Sequence, residues 1–535
     1  MADQRNRKPV YQDYYTEDDY DFIMEVLPEL IKKAQRSAAE ILEPTIHEKR
    51  KVMDDIKNFI RDKKRKVYGG TAMNETIKAI NPKDAIYDDV IFSDIEFYSP
   101  APVQDMVELA NLLHQKGYKM VVGREAQHEG TYSIFVNMQL YCDISYVPTR
   151  VYHGIQTIEI DGLLYVHPHF MIIDLLRMIN DPINAAEQRW EKAFKRLYKL
   201  LRSYPLELFD RPIQIQKPDE EFRSYLNKIK SDFMTIPEVS KSCLISGFEA
   251  YNFFVRHAMG DRTIEQQART SYGSTKLETL VSNVPFLEFV SINYTDTVIR
   301  LYNFIKNLVP DAKEITLDEN YPLFQFSNYS VTISYKGKPL ARVYEEDGHC
   351  IPDIKTTREY MYVSYQYLLM SMLMNKFRSY LEKDKEMYLN YGSAVSNLVK
   401  VRNIYLDAKK LPVINDSVFT EFKISCVGST VSYIRTAQLR IQERISKGKT
   451  AIFRYEPEKF FNQSEEAQAK FDPTKYFFPN TSGNKITNDK NLMFKLDENG
   501  NIITETETSE SYSDDDENDK TSEVANISET TTSNS

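Results

Sequence analysis

Cysteine is scarce. The 535 residues contain four, Cys142, Cys243, Cys350 and Cys426, far apart and in no Cys-x-x-Cys pair. That spacing excludes a zinc site or a disulfide scaffold and makes a reducing compartment the natural setting. Long apolar runs are missing as well. The nearest attempt, residues 169–179, is broken by Asp174 and Arg177, so no membrane-spanning helix is expected. Residues 1–9 are polar and basic and lack the apolar core of a signal peptide. The acidity is local. The chain carries 68 Lys+Arg against 78 Asp+Glu, but residues 501–535 hold ten acids and one base, leaving 67 against 68. A body so nearly neutral is compatible with a nucleic-acid ligand. What is present is 42% apolar residues, enough to build a core.

Residues 17–64 read as helices, with Phe22, Val26, Leu30 and Ile31 at helical spacing and then Val52, Ile56 and Ile60 four apart. The run Lys63-Lys-Arg-Lys66 reads as a solvated helix end, a phosphate-facing patch or an import signal. From Val67 strand and helix alternate, which predicts an α/β unit. A strand step precedes Gly69-Gly70, a helix covers 72–80 and a strand covers 90–98. A helix then carries Val103, Met106, Val107, Ala110 and Leu113, and strands follow at 131–138 and 140–147. Beyond Pro182 an amphipathic helix over 187–202 sets a buried stripe of Trp190, Phe194, Leu197 and Leu201 against Arg189, Lys192, Lys195, Arg196 and Lys199. Those bases form a solvated face or a clamp on phosphates. His167 and His169 are a weak metal signal. Residues 482–535 lack the apolar content to offset ordering entropy and read as disordered.

Asp94 and Glu96 lie one residue apart in an apolar strand, so both side chains share a face while Ile95 and Phe97 point into the core. Adjacent carboxylates repel and lose hydration together unless a cation compensates. Asp143 stands in a later strand between apolar neighbours. Were the strands adjacent, three hard oxygen ligands would converge, a set suited to one or two Mg²⁺ ions with substrate phosphates. Taken alone, the pair also reads as an edge strand with solvated acids. Gly69 and Gly70 open a helix, where bare amides and the helix N-terminus favour a phosphate.

Val67-Tyr-Gly-Gly-Thr-Ala-Met-Asn74, Ser93-Asp-Ile-Glu-Phe97 and Cys142-Asp-Ile144 resemble, in order and spacing, the nucleotidyltransferase superfamily related to DNA polymerase beta. More narrowly they look like the poly(A) polymerases of large nucleocytoplasmic DNA viruses, poxvirus-like and above all of mimivirus type. The motifs cover residues 67–147, and a general likeness extends to about residue 480. Poxvirus-type sequences read Asp-x-Asp, so Glu96 is a departure of one methylene. The resemblance implies a nucleotidyltransferase fold, α+β or α/β, with a mixed sheet and flanking helices. It implies a polynucleotide adenylyltransferase that adds AMP from ATP to the 3′ end of mRNA without a template, using two Mg²⁺ or Mn²⁺ ions. Asp94 and Glu96 would bridge both ions, and Asp143 would hold the ion that activates the RNA 3′-oxygen. Gly69 and Gly70 would seat the β- and γ-phosphates, with Thr71 a hydroxyl donor and Lys192, Lys195 and Arg196 bound to the nucleotide or RNA. Its partners would be single-stranded mRNA 3′ ends, ATP and a second copy of the chain, with no membrane, in the host cytoplasm (the viral factory) or the virion. Three alternatives stay open: an oligoadenylate-synthase-like enzyme, a small-molecule or tRNA-end transferase, and a non-catalytic RNA-binding scaffold.

A weak repeat sets Gly69-Gly-Thr-Ala-Met-Asn74 on Gly247-Phe-Glu-Ala-Tyr-Asn252, the Asp94 strand on 290–294, and 133–143 on 331–341. In this alignment Ser291, Asn293 and Ala341 replace the acids and Phe248 replaces the second glycine, so the second copy would be a degenerate nucleotidyltransferase-like domain. The expected organisation is a helical segment (1–66), a catalytic domain (67–185), connecting helices (186–235), the degenerate domain (236–480) and a disordered acidic tail (481–535).

Overall fold

The structure is a computed structural model. It describes residues 14–476 apart from 43, 88–93, 185–188, 208, 272, 274, 321–322, 324–326, 357–359 and 449, and also residues 494–496 and 501–504. Residues 1–490 form one compact unit and 491–535 another.

Helices α1 (Glu17–Ile41) and α2 (Ile46–Asp62) each open on a capping box, Thr16 with Asp19 and Thr45 with Glu48. The box satisfies amides that have no carbonyl within the helix. Val52, Ile56 and Ile60 of α2 are buried, as their spacing requires, whereas no residue of α1 is buried. The basic run that follows is tied into the fold. The Arg65 guanidinium grips buried Asp105 through two bonds of 2.6 and 2.9 Å, Lys63 pairs with Glu108, and the Lys66 amine donates to the Ile155 carbonyl at 2.7 Å.

The first sheet is built from β1 (Lys66–Tyr68), β2 (Ile95–Ser99), β3 (Val122–Glu125), β4 (Thr131–Val136), β5 (Gln139–Tyr146), β6 (Thr157–Ile160) and β7 (Leu163–Val166). Its helices are α3 (Gly69–Ile80), α4 (Pro102–Gln115), α5 (Thr149–Gly154), α6 (Pro168–Ile179) and α7 (Trp190–Ser203). The expected strand over 90–98 begins at Ile95; residues 88–93 lie outside the described residues. α4 packs on β2, β3, β4 and β5 and buries Val103, Met106, Val107, Ala110 and Leu113. Ile95, Phe97, Ile134, Cys142 and Ile144 are buried as well. Alternation therefore sends Glu96, Ser133 and Asp143 to the opposite face.

On α7 the buried residues are Ala193, Leu197 and Leu200. Phe194, expected inside, is 43% exposed. Its ring and that of Trp190 lean instead on Phe422, at 5.4 and 5.2 Å between centroids. Tertiary contact has rotated the stripe.

The second sheet contains β8 (Cys243–Ser246), β9 (Leu287–Ser291), β10 (Ile315–Asn320), β11 (Ser330–Tyr335), β12 (Lys338–Glu345), β13 (Ile351–Lys355), β14 (Met361–Val363) and β15 (Cys426–Val427), and β16 (Arg454–Tyr455) returns to the first sheet. The strand orders are β16-β3-β4-β5-β2-β1-β7-β6 and β10-β11-β12-β9-β8-β14-β13-β15. Without β16 and β15 the two orders coincide strand for strand, with matching parallel and antiparallel senses. Register corrects the repeat read from sequence. Tyr68 opposes Glu96 and Ser246 opposes Glu288, so Glu288, and not Asn293, occupies the Glu96 position. Glu96 opposes Asp143 and Glu288 opposes Arg342, so Arg342, and not Ala341, stands for Asp143. A slip of one residue would have turned those side chains to the other face.

Cys350 and Cys426 form a disulfide, contrary to the expectation from their spacing. Separation along the chain gave no hint that β15 pairs with β13 and brings the two together. In the segment expected to be disordered, β17 (Phe494–Leu496) and β18 (Ile502–Thr504) pair as an antiparallel hairpin; the remainder of that segment lies outside the described residues.

Candidate active site

β1 runs into α3 through Gly69, whose φ of +69° is a left-handed conformation that a side chain resists. A Cβ there would also collide with the Glu96 carboxylate, and one on Gly70 with the Tyr87 hydroxyl. The left-handed backbone requires a glycine at Gly69, while at Gly70 a Cβ would displace the Tyr87 hydroxyl. The Gly70 amide donates to Glu96 Oε2 at 2.8 Å, so the amide available to a phosphate presently holds a carboxylate. Thr71 Oγ1 donates to the Asp94 carbonyl at 3.0 Å, fastening α3 to the start of β2. Asn74 Oδ1 accepts from the Ile86 and Tyr87 amides at 2.8 and 3.0 Å, a structural role.

Glu96 and Asp143 are direct partners on the parallel strands β2 and β5. Ser133, opposite Asp143 on β4, donates its hydroxyl to Asp143 Oδ1 at 2.6 Å and fixes that carboxylate. Burial pushes Glu96 up to about 7; the Gly70 amide opposes the rise, and the charges of Asp94 and Asp143 add to it. Burial also raises Asp143, against the pull of Ser133 and helped by Asp94. Glu96 therefore feels both other acids, and Asp143 feels Asp94. Gathering this much like charge costs free energy that a divalent cation removes. By donor chemistry the set fits hard ions of the Mg²⁺ class, and Asp94, Glu96 and Asp143 are the residues that would hold them. Among the described residues, no three His, Cys, Asp or Glu side chains already converge into a metal cluster.

The basic residues of α7 divide. The Arg196 guanidinium bonds the Tyr87 hydroxyl beside Gly70, and its charge lowers the Glu96 pKa. Lys192 is depressed by Arg196 first and by burial second, and pulled upward by Glu96 and Asp94. Both cations belong to the site. Lys195 does not reach it: the amine pairs with Glu191 at 2.5 Å, and both side chains are largely exposed. His167 and His169 are structural, since His167 Nδ1 caps α6 by accepting the His169 amide at 3.2 Å.

Sequence reasoning missed Ser133, Tyr68 and Tyr87. Tyr68 stacks on Tyr98 at 3.8 Å and bonds Ser145 at 2.7 Å, forming the floor beside Glu96. Only the register of β4 on β5 reveals Ser133, and a single sequence carries no signal for it.

The geometry has counterparts in known proteins. The family described as "Poly(A) polymerase catalytic subunit" matches residues 54–185, and "APMV, Putative poly(A) polymerase, catalytic subunit, C-terminal" matches 220–496. The "Putative poly(A) polymerase catalytic subunit" of Acanthamoeba polyphaga mimivirus is 54% identical over 514 residues, 94% of this chain and 88% of that one. The equally named protein of African swine fever virus (isolate Pig/Kenya/KEN-50/1950) is 25% identical, covering 68% of this chain and 72% of its own. The crystal structure of the Megavirus polyadenylate synthase superposes with a TM-score of 0.87 at 58% identity, covering 94% of this chain and 98% of that one.

Proposed function

The chain belongs to the family of viral poly(A) polymerase catalytic subunits, and from that premise we propose that it adds AMP from ATP to the 3′ end of mRNA without a template. One observation carries the reading: Glu96 and Asp143 face each other one strand apart, beside a helix opened by two glycines, the first in a left-handed conformation and pressed against Glu96. The reaction is in-line attack of a 3′-hydroxyl on the α-phosphate of ATP, with pyrophosphate leaving. Such chemistry asks for positioning and charge neutralisation more than covalent work. Two Mg²⁺ or Mn²⁺ ions at Asp94, Glu96 and Asp143 would supply Lewis-acid polarisation and offset the gathered negative charge. Gly69 and Gly70 let the triphosphate approach the first turn of α3, with Lys192 and Arg196 as the cations nearest to it. Ser133 holds Asp143 in one orientation, and Tyr68 sets the floor.

We read the second sheet as a degenerate copy of the first. Supporting this are the shared strand order, Gly247 at a φ of +60° in the place of Gly69, and Phe248 in the place of Gly70. The Arg342 guanidinium, which donates to Thr332 Oγ1 at 2.9 Å, replaces an acid with a base. Among the described residues, Glu288 faces Arg342 rather than a second carboxylate there. A homodimer completes the proposal, supported by α1, where Tyr20, Phe22 and Leu30 are more than half exposed. The proposed setting, a viral factory in host cytoplasm or the virion, rests on the viral origin of the relatives.

Primer extension with each nucleoside triphosphate in turn tests the activity. Expected is elongation of an oligo(A)-ended RNA with ATP, little with the other three, and none without primer. Joining of ATP molecules in the absence of RNA would favour an oligoadenylate synthase instead.

A further inference from the structure

The register of the first sheet continues past the carboxylates. Glu96 opposes Asp143, Asp143 opposes Ser133, Ser133 opposes Arg124, and Arg124 opposes Arg454 on the edge strand β16. Directly opposed residues present their side chains on the same face, so one row crosses the sheet from the acids to two arginines. The other face is closed by α4, since a Cβ on Gly123, the neighbour of Arg124, would press on Met106. Arg124 and Arg454 are both exposed. The Arg124 guanidinium lies over the Phe135 ring at 4.3 Å, and the Arg454 side chain, paired with Glu456 at 2.7 Å, keeps 57% of its surface open. At about 4.8 Å per strand, Arg124 stands roughly 10 Å and Arg454 roughly 14 Å beyond Asp143. Arg454 also borders, with Lys459 and Lys470, a cavity of about 580 Å³ whose rings gather around Tyr455 on the α4 face, where the Tyr455 hydroxyl donates to Asn111 Oδ1 at 2.7 Å.

We propose that this row is the track of the RNA primer: its 3′ end lies at Asp143, and its upstream phosphates meet Arg124 and then Arg454. The proposal rests on the polymerase reading above and deepens it. Direction follows from the order of strands. The glycine turn that takes the triphosphate lies on the β1 side of Glu96, so the primer must leave across β5, β4, β3 and β16 to avoid the nucleotide. A stacked strand advances about 3.4 Å per nucleotide, so Arg454 meets the backbone roughly four nucleotides upstream. The Arg124 guanidinium, seated on the Phe135 ring, presents a flat cationic plane on which a base can stack.

The test is RNA binding and steady-state extension with Arg124→Ala, Arg454→Ala and the double variant, using a 15-nucleotide oligo(A) and a two-nucleotide primer. Arg300→Ala, on the helix Tyr294–Leu308 that packs on β12 of the second sheet, controls for lost charge. The double variant should raise the KM for the long primer about tenfold, far more than it changes kcat or the KM for ATP. The slope of log affinity against log salt should fall by about one per arginine, and the two-nucleotide primer should be nearly unaffected. Unchanged affinity and slope, or equal losses on both primers, would overturn the track. If the wild-type protein extends RNA normally while the arginine variants match it, only the track fails. If wild-type protein extends no primer at all, the polymerase reading fails with it.

Discussion

Glu96 is the residue on which the account leans hardest, because burial and two neighbouring acids hold its pKa near 7. An acid whose pKa is higher folded than unfolded binds its proton more tightly in the native state. It therefore costs stability as pH rises from the unfolded value of about 4.5 towards 7. The metal-free protein should lose several degrees of Tm across that window, and Glu96→Gln should flatten the loss. Equal slopes in the two proteins would show that Glu96 is not strained by its surroundings. Gly69 makes a second prediction. Gly69→Ala forces a side chain into a left-handed φ at a cost on the order of 1 kcal/mol and drives its Cβ into the Glu96 carboxylate. Extension should fall more than a hundredfold while far-ultraviolet circular dichroism stays native; retained activity would mean that the turn has slack. Both residues were legible in the sequence, because an acid pair in an apolar strand and a double glycine before a helix each violate a local preference. Ser133 and Tyr68 violate none, and only strand pairing exposes them.

At the scale of elements, the two sheets share a strand order and differ in the residues that face each other across it. Gly247 matches Gly69 in its left-handed conformation and Glu288 matches Glu96 in register, while Arg342 stands where Asp143 does. Burial raises Glu288, and the Arg342 charge and the Tyr344 hydroxyl, at 2.8 Å from Glu288 Oε1, pull it back. Removing the arginine strands a buried charge. Arg342→Leu should therefore destabilise the protein by about 3 kcal/mol in urea unfolding, and adding Glu288→Gln should recover much of it. An additive double variant would deny the coupling. From sequence the proposed repeat was signalled by Gly247 and Asn252, but its strands were set off register, by five residues at β9 and by one at β12. Short motifs fix no register where one sheet has drifted from the other. The α7 stripe was misplaced for a related reason: helical periodicity names a face, and Phe422, contributed from far along the chain, decided which residues it covers.

At the scale of the molecule, an acidic sum conceals a nearly neutral body whose first sheet sorts charge along a single row. Acids occupy the centre, cations of α7 flank the glycine turn, and arginines line the far strands. The alternation of strand and helix was legible, but the return of β16 to the first sheet and the Cys350–Cys426 pairing were not, since both join segments distant in sequence. The most direct measurement of the central claim is single-turnover extension of an oligo(A) primer by Asp94→Asn, Glu96→Gln and Asp143→Asn at saturating RNA, ATP and Mn²⁺. Each variant should bind RNA within a few-fold of wild type and add AMP at least a thousandfold more slowly. Addition at near wild-type rates by any two of them would contradict that claim.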